Sequence, residues 1–294
     1  SPPVARRDLA HCPPSTTVDI AVLDNDLDDG LPSPLGITTI STPAVGGVEN
    51  LGSAIRYTAP AGFDAPTTFR YTVDDGGGSE SLAEVTVVPV AGSAWWLPFD
   101  EESASVALDV GGKQADLLGF GTAPRPDGCF GRALRFSGEG ESVRLTGFKG
   151  ILGSDDRTVS AWIRSTATGQ HPIIAWGPNA AGQKWTFLMQ NGHLRLEVTS
   201  GFREGTTILN DGEWHHVACT FADDGTPNAS DLRLFVDGVE ETNFAASSNQ
   251  SIQTTASIDV RVGSDVQDRH FVGDIDDARV LPEALTPGQL LELA

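Results

Sequence analysis

Cysteine, tyrosine, methionine and positive charge are all scarce in this chain, and the scarcity closes off several classes of function. Three cysteines, Cys12, Cys129 and Cys219, occur in 294 residues. They lack the C-x-x-C spacing of zinc ribbons and redox motifs. One thiol is left over however two are paired, so a Cys129–Cys219 disulfide and free thiols both stay open. Cys219 alternates with Val217 and Phe221 and reads as a small core side chain. Lys and Arg total 19 against 40 Asp and Glu, a formal net charge of −21. A surface this acidic repels nucleic acid and anionic membrane. No apolar run approaches the ~20 residues that cross a bilayer as a helix, so no membrane insertion is expected. The chain opens at Ser1 with neither an initiator Met nor a signal peptide. The expectation is a fragment of a longer secreted or surface protein that carries additional domains.

What is abundant is turn chemistry and short alternating runs. Gly 33 and Pro 18 separate segments rich in Val and Thr, the pattern of an all-β protein. VDIAV at 18–22, ITTI at 37–40, AIRYTAP, TTFRYTVDD and LAEVTVVPV read as the strands of a first β-sandwich over residues 1–91. The small-residue stretch VAGSA at 90–94 reads as a boundary. WWLPFDEE then opens a larger unit over 92–294, with strands at 129–145, 157–165, 171–177, 184–198, 211–221, 231–241, 257–263 and 271–280. In TPGQLLELA, Thr286 as N-cap, Pro287 as first helical residue and Gln289 as reciprocal cap predict one short C-terminal helix. Asp237-Gly238 between Leu232-Leu234-Val236 and Val239 predicts a tight type I′ hairpin turn.

The words of the first segment, VDIAVLDNDLDDG, TPAVGGVE and IRYTAPAGFDAPTTFRYTVDDGGGSE, resemble the cadherin-like or immunoglobulin-like tandem repeats of large bacterial surface and secreted proteins. In the second, GRALRFSG, TVSAWIRS, DGEWHHVACTF, LRLFVDGV and FVGDIDDARVLPEAL occur in the order of the laminin-G-like members of the concanavalin A-like lectin/glucanase superfamily. The resemblance implies an immunoglobulin-like β-sandwich followed by a two-sheet antiparallel jelly roll. Such a match speaks for fold more than for ligand.

Three groups of residues are candidates for chemistry. Adjacent His215 and His216 point to opposite faces of a strand and so do not chelate one ion. The resemblance implies a structural Ca²⁺ that ties the first, second and last strands together. The matching positions are Asp100, the backbone around Ser137 and Gly138, and Asp276; oxygen donors of this kind suit a hard cation. The acidic run Asp24, Asp26 and Asp28, with Asp74 later, is a second and weaker calcium candidate, set against a solvated turn whose side chains cap backbone amides. Enzymes of the superfamily carry an E-x-D-x-E set on alternate strand positions. Here Asp274 and Asp276 share a face but the third position is Ala278, so catalysis is not expected. For ligand binding the candidates are Trp162, Arg164, Trp176 and Trp185, because sugar rings stack on aromatic faces. His171, His193 and His270 receive no role, and the sequons at Asn228 and Asn249 read as surface loops. The first functional reading is a non-catalytic extracellular recognition module for a glycan, with protein–protein adhesion as the alternative and a glycoside hydrolase or polysaccharide lyase third.

Overall fold

The computed structural model describes residues 2–28, 34–63, 66–89, 95–101, 106–109, 113–120 and 126–294. The chain divides into two compact units, Ser1–Gly92 and Ser93–Ala294. The expected boundary at 90–94 lies outside the described residues.

The first unit holds β1 (Asp8–Cys12), β2 (Thr17–Ile20), β3 (Gly36–Ile40), β4 (Gly47–Asn50), β5 (Ile55–Thr58), β6 (Thr67–Asp74) and β7 (Glu80–Pro89). Among the described residues they form two sheets, β1-β7-β6-β3 and β2-β5-β4. Strand alternation decides the core: Phe69, Tyr71 and Val73 of β6 face Val85 and Val87 of β7 inward, whereas Thr68 and Arg70 are exposed. The sequence reading missed β1, which adds in parallel to β7. Tyr71, fully buried, satisfies its hydroxyl by donating to the Val22 carbonyl at 3.0 Å. Buried phenols need such a partner.

The second unit begins with β8 (Trp95–Leu97), β9 (Val106–Leu108), β10 (Gln114–Leu118), β11 (Leu134–Phe136), β12 (Ser142–Leu145), β13 (Arg157–Arg164), β14 (Gln170–Trp176) and β15 (Trp185–Gln190). It continues with β16 (His193–Glu197), β17 (Phe202–Glu204), β18 (Trp214–Phe221), β19 (Leu232–Val236), β20 (Val239–Glu240), β21 (Ala246–Ser248), β22 (Val260–Val262) and β23 (Gly273–Leu281). Among the described residues one sheet runs β21-β17-β16-β15-β14-β22-β12-β10-β9 and the other β11-β23-β13-β18-β19-β20, with β8 also on β23. Val159, Ala161 and Ile163 from one sheet and Phe187, Leu194, Leu196 and Val262 from the other enclose a single core. This is the jelly roll expected for strands that alternate apolar with polar residues.

Helix α1 (Pro287–Leu291) carries the expected cap, with Gln289 N donating to Thr286 Oγ1 at 3.4 Å and Thr286 N to Gln289 Oε1 at 2.9 Å. The Asp237-Gly238 turn has φ of +50° and +74°, as a two-residue type I′ turn requires. Glycine is needed there for a second reason, because a Cβ on Gly238 would lie 2.6 Å from Leu291 Cδ1 of the helix. All three cysteines are free thiols, so the Cys129–Cys219 bond does not form; Cys219 points into the core, as its alternation predicts.

Candidate functional site

The outer face of the sheet containing β13, β18 and β23 carries most of the residues singled out in the sequence. Ile275 turns into the core and Asp274 and Asp276 turn out. Asp274 is held in a fork by two arginines: Arg135 at 2.7 and 3.0 Å, and Arg164 at 3.0 and 2.9 Å. Arg164 also lies over the Trp214 ring at 4.7 Å. Arg164 is therefore part of a structural ion pair rather than a free ligand contact. Trp162 is half-buried between Phe130, 5.9 Å away edge-on, and His216 at 5.5 Å. It is packing, not an open platform. His215 and His216 do fall on opposite faces, but His216 is fully enclosed, and burial pushes its ring down to about 3, with Arg279 adding to the shift. It stays neutral at any ordinary pH.

Asp276 is also fully buried. Its Oδ2 accepts the backbone N–H groups of Cys129 at 2.9 Å and Phe130 at 3.1 Å, while its Oδ1 has no hydrogen-bond partner. Burial, then the neighbouring Asp277 and Asp100 carboxylates, push it up to about 9. Asp100 holds the other end of the same loop, accepting Arg132 N at 2.8 Å on Oδ1. Two glycines allow this close approach: a Cβ on Gly128 would lie 2.5 Å from Asp276 Oδ2, and one on Gly131 2.2 Å from Asp100 Oδ1. Asp100 and Asp276 are thus brought together around residues 128–132.

Ser137 and Gly138 are not brought there. Phe136 pairs with Gly273, so Ser137 sits about 13 Å along the strand direction from Asp276 at ~3.4 Å per residue. The Ser137 hydroxyl donates to Glu141 at 2.5 Å, and Gly138 packs on Val272. The loop at 128–132 stands where 137–138 was expected, because the chain reaches the last strand before β11 rather than after it.

Trp176 and Trp185 are corrections. They stack on each other at 5.4 Å inside the core, 1 % and 0 % exposed. Trp176 satisfies its indole N–H on the Ile151 carbonyl at 3.2 Å. Neither can meet a ligand.

In the first unit, Asp26 Oδ1 accepts Arg6 N at 2.7 Å and lies 3.2 Å from the Tyr71 hydroxyl. Asn25 donates to the Arg7 carbonyl at 3.0 Å and to Asp8 Oδ1 at 3.2 Å. The acidic run therefore straps the N-terminal segment to the sandwich by hydrogen bonds, which is the turn-capping role. Asp74 closes a separate turn by accepting Gly76 N at 2.6 Å. Asp24 is exposed and Asp28 half-buried, and Asp29-Gly30 lie outside the described residues.

Sequence reasoning missed the outer face of the other sheet. Register aligns one row across it: Asp116, Arg144, Arg261, Ala175, Thr186, Glu197, Phe202 and Ser248. The segment 264–270 lies against part of this face. Lys184 Nζ donates to Glu197 at 2.5 Å and to Gln267 at 2.6 Å, and Arg269 reaches both Glu197, at 2.5 Å, and Asp265. Arg195 bridges Glu204 at 3.0 Å and Glu197 at 3.4 Å and stacks on Phe202 at 3.6 Å. Burial raises Glu197, but Arg269 and Lys184 outweigh it and hold the carboxyl below its ordinary range. Thr186 Oγ1, on the floor, is buried without a partner. The signal was present in His193-Leu-Arg-Leu-Glu197, where alternation puts His193, Arg195 and Glu197 on one face. Nothing in the sequence says that Arg261, far along the chain, joins them.

Comparison with known proteins agrees with this architecture. Residues 137–290 match the concanavalin A-like lectin/glucanases superfamily, and residues 1–88 match the bacterial Ig domain. No curated protein matches. Among solved structures, domain 4 of AbnA, a GH43 extracellular arabinanase from Geobacillus stearothermophilus in complex with arabinotriose, is 24% identical, with a TM-score of 0.52 over 68% of this chain and 97% of that one. The binding domain of Paraclostridial Mosquitocidal Protein 1 is 14% identical, with a TM-score of 0.50 over 68% of this chain and 51% of that one. At these identities the likeness is one of fold. The length of the family match, joined to the two-sheet jelly roll, shows that the chain belongs to the concanavalin A-like lectin/glucanases superfamily and carries a bacterial Ig domain ahead of it.

Proposed function

We propose that the jelly roll is a non-catalytic glycan-recognition module of a larger extracellular protein, displayed by the immunoglobulin-like unit. The observation that carries this reading is the outer face of the larger sheet, where the guanidinium groups of Arg144, Arg261 and Arg195 and the ring of Phe202 stay partly exposed beside the buried Ala175, Thr186 and Glu197. Oligosaccharides are bound by that mixture, because a pyranose has apolar faces and a polar rim. The arabinanase domain of similar fold, described in complex with arabinotriose, supports the reading. Against catalysis stands the fate of Asp274, whose oxygens are occupied by Arg135 and Arg164, while Ala278 fills the third alternate position.

A structural Ca²⁺ belongs to the same proposal. Asp276 Oδ1 is a buried, unpartnered oxygen beside a second carboxylate, Asp100, and a hard cation prefers such donors. Asp276 and Asp100 would hold the ion with backbone oxygens of the 128–132 loop. Bound there, it would neutralise the two carboxylates and fix the loop to the last strand.

Protein–protein adhesion is the second reading. Among the described residues Val239 and Leu291, 69% and 61% exposed, are the most exposed large apolar residues of the jelly roll, and Leu291 adjoins the Gly238 turn. A glycan array run with calcium and again with chelator decides between them. Binding to oligosaccharides supports the first reading; a blank array together with concentration-dependent self-association transfers the function to adhesion.

A further inference from the structure

Arg261 differs from the other arginines on its sheet face. Arg144 spends Nε on Thr146 and Nη2 on Asp116; Arg195 is shared by Glu197 and Glu204; Arg269 spends Nε and Nη2 on Asp265 and reaches Glu197. Arg261 has no acceptor among the described residues, and its Nε is buried without a partner. It sits on β22, between β12 and β14 and so inside the sheet rather than at its edge, flanked in register by Arg144 and by the small Ala175.

The charges around it are already matched. Asp116 is paired with Arg144 at 2.8 Å, and Asp259, two residues earlier on the same face, with Lys149 at 2.7 Å. Arg261 therefore leaves one uncompensated positive charge on the face of a protein whose net charge is −21. In a chain with 40 carboxylates and 19 basic side chains, a guanidinium without an acceptor is the exception. Its Nε is buried, and its two Nη groups are left without an acceptor among the described residues, the end that can fork a carboxylate through two hydrogen bonds.

We infer that Arg261 is the anchor for the carboxylate of an acidic sugar, so that the module selects uronate- or sialate-bearing glycans over their neutral counterparts. This rests on the glycan-binding reading above and adds the class of ligand to it. The guanidinium supplies the charge and the two-pronged geometry, and the long-range repulsion of an acidic protein for an anion is screened within about 8 Å at physiological salt.

The test is retention of the full chain, and of Arg261→Gln and Arg261→Lys, on polygalacturonate, on its fully methyl-esterified form, and on 3′-sialyllactose and lactose, each at low and high salt. The expected result is preference for the acidic member of a pair, weakened by salt. In Arg261→Gln binding falls about tenfold or more, while Arg261→Lys, which keeps the charge and loses the fork, falls less. Melting midpoints within a degree or two of wild type show that the variants are folded. Equal retention of acidic and neutral members overturns the inference and leaves the glycan-binding reading standing. Acidic preference that survives in Arg261→Gln overturns Arg261 as the anchor. No retention of any of the four counts against the reading itself and removes the inference with it.

Discussion

Replacing Asp276 by Asn gives a result whose size depends on calcium. Without the ion, the carboxyl pushed up to about 9 must take up a proton on folding at pH 7, although the unfolded chain holds it ionised. At about 1.4 kcal/mol per unit over the roughly 3 units between an ordinary Asp and pH 7, the cost is about 4 kcal/mol. Asn removes this cost and keeps one oxygen for the Cys129 and Phe130 amides. In chelator, Asp276→Asn is therefore more stable than wild type, by about 2–4 kcal/mol after allowing for the less complete hydrogen bonding of its amide. With calcium at 100 times its dissociation constant, wild type gains about 2.7 kcal/mol. In a unit of this size that is roughly 5–10 °C in midpoint, and the Asn variant gains little. Calorimetry of both proteins in 1 mM CaCl₂ and in EDTA reads all four midpoints. Identical wild-type midpoints in the two buffers, or a calcium shift that persists unchanged in Asp276→Asn, would refute the reasoning.

Asp8 in the first unit gives a pH dependence. Burial, with Asp26 and Asp24 adding to it against the Tyr71 and Asn25 hydrogen bonds, pushes it up to about 7 from the ordinary 3.8. The folded state thus holds a proton that the unfolded state releases, so stability falls as pH rises from about 4 to 7, by at most ~1.4 kcal/mol per unit. Asp8→Asn should flatten that slope in urea unfolding followed at pH 4, 5.5 and 7; an unchanged slope would place the titration elsewhere. Trp185→Phe should lower the melting midpoint by an amount corresponding to about 2 kcal/mol while leaving glycan affinity per folded molecule unchanged. Lost affinity in a folded Trp185→Phe protein would contradict the burial of that ring.

Trp176 and Trp185 show how far single-strand reasoning reaches. Period-two alternation ranks the faces of a strand but does not say which is buried, and tryptophan serves as core and as sugar platform alike; the stacking of two strands decided for core. Asp274 and Arg164 show the same limit. Each is legible as an outward polar residue, and only the pairing of β23 with β13 and β11 puts Asp274 between Arg164 and Arg135.

From local pattern alone the sequence determined the all-β class, the capped terminal helix and the Asp237-Gly238 turn, because these depend on alternation, turn chemistry and capping within a few residues, while the two sandwich types came through family resemblance. It also singled out Asp276 and Asp100 as partners, through family resemblance. Only the tertiary structure decided that the loop at 128–132 rather than 137–138 stands between those two carboxylates, and that Arg261 is left without an acceptor among the described residues. Both depend on register between strands more than a hundred residues apart, and register is set by the packing of the whole sheet.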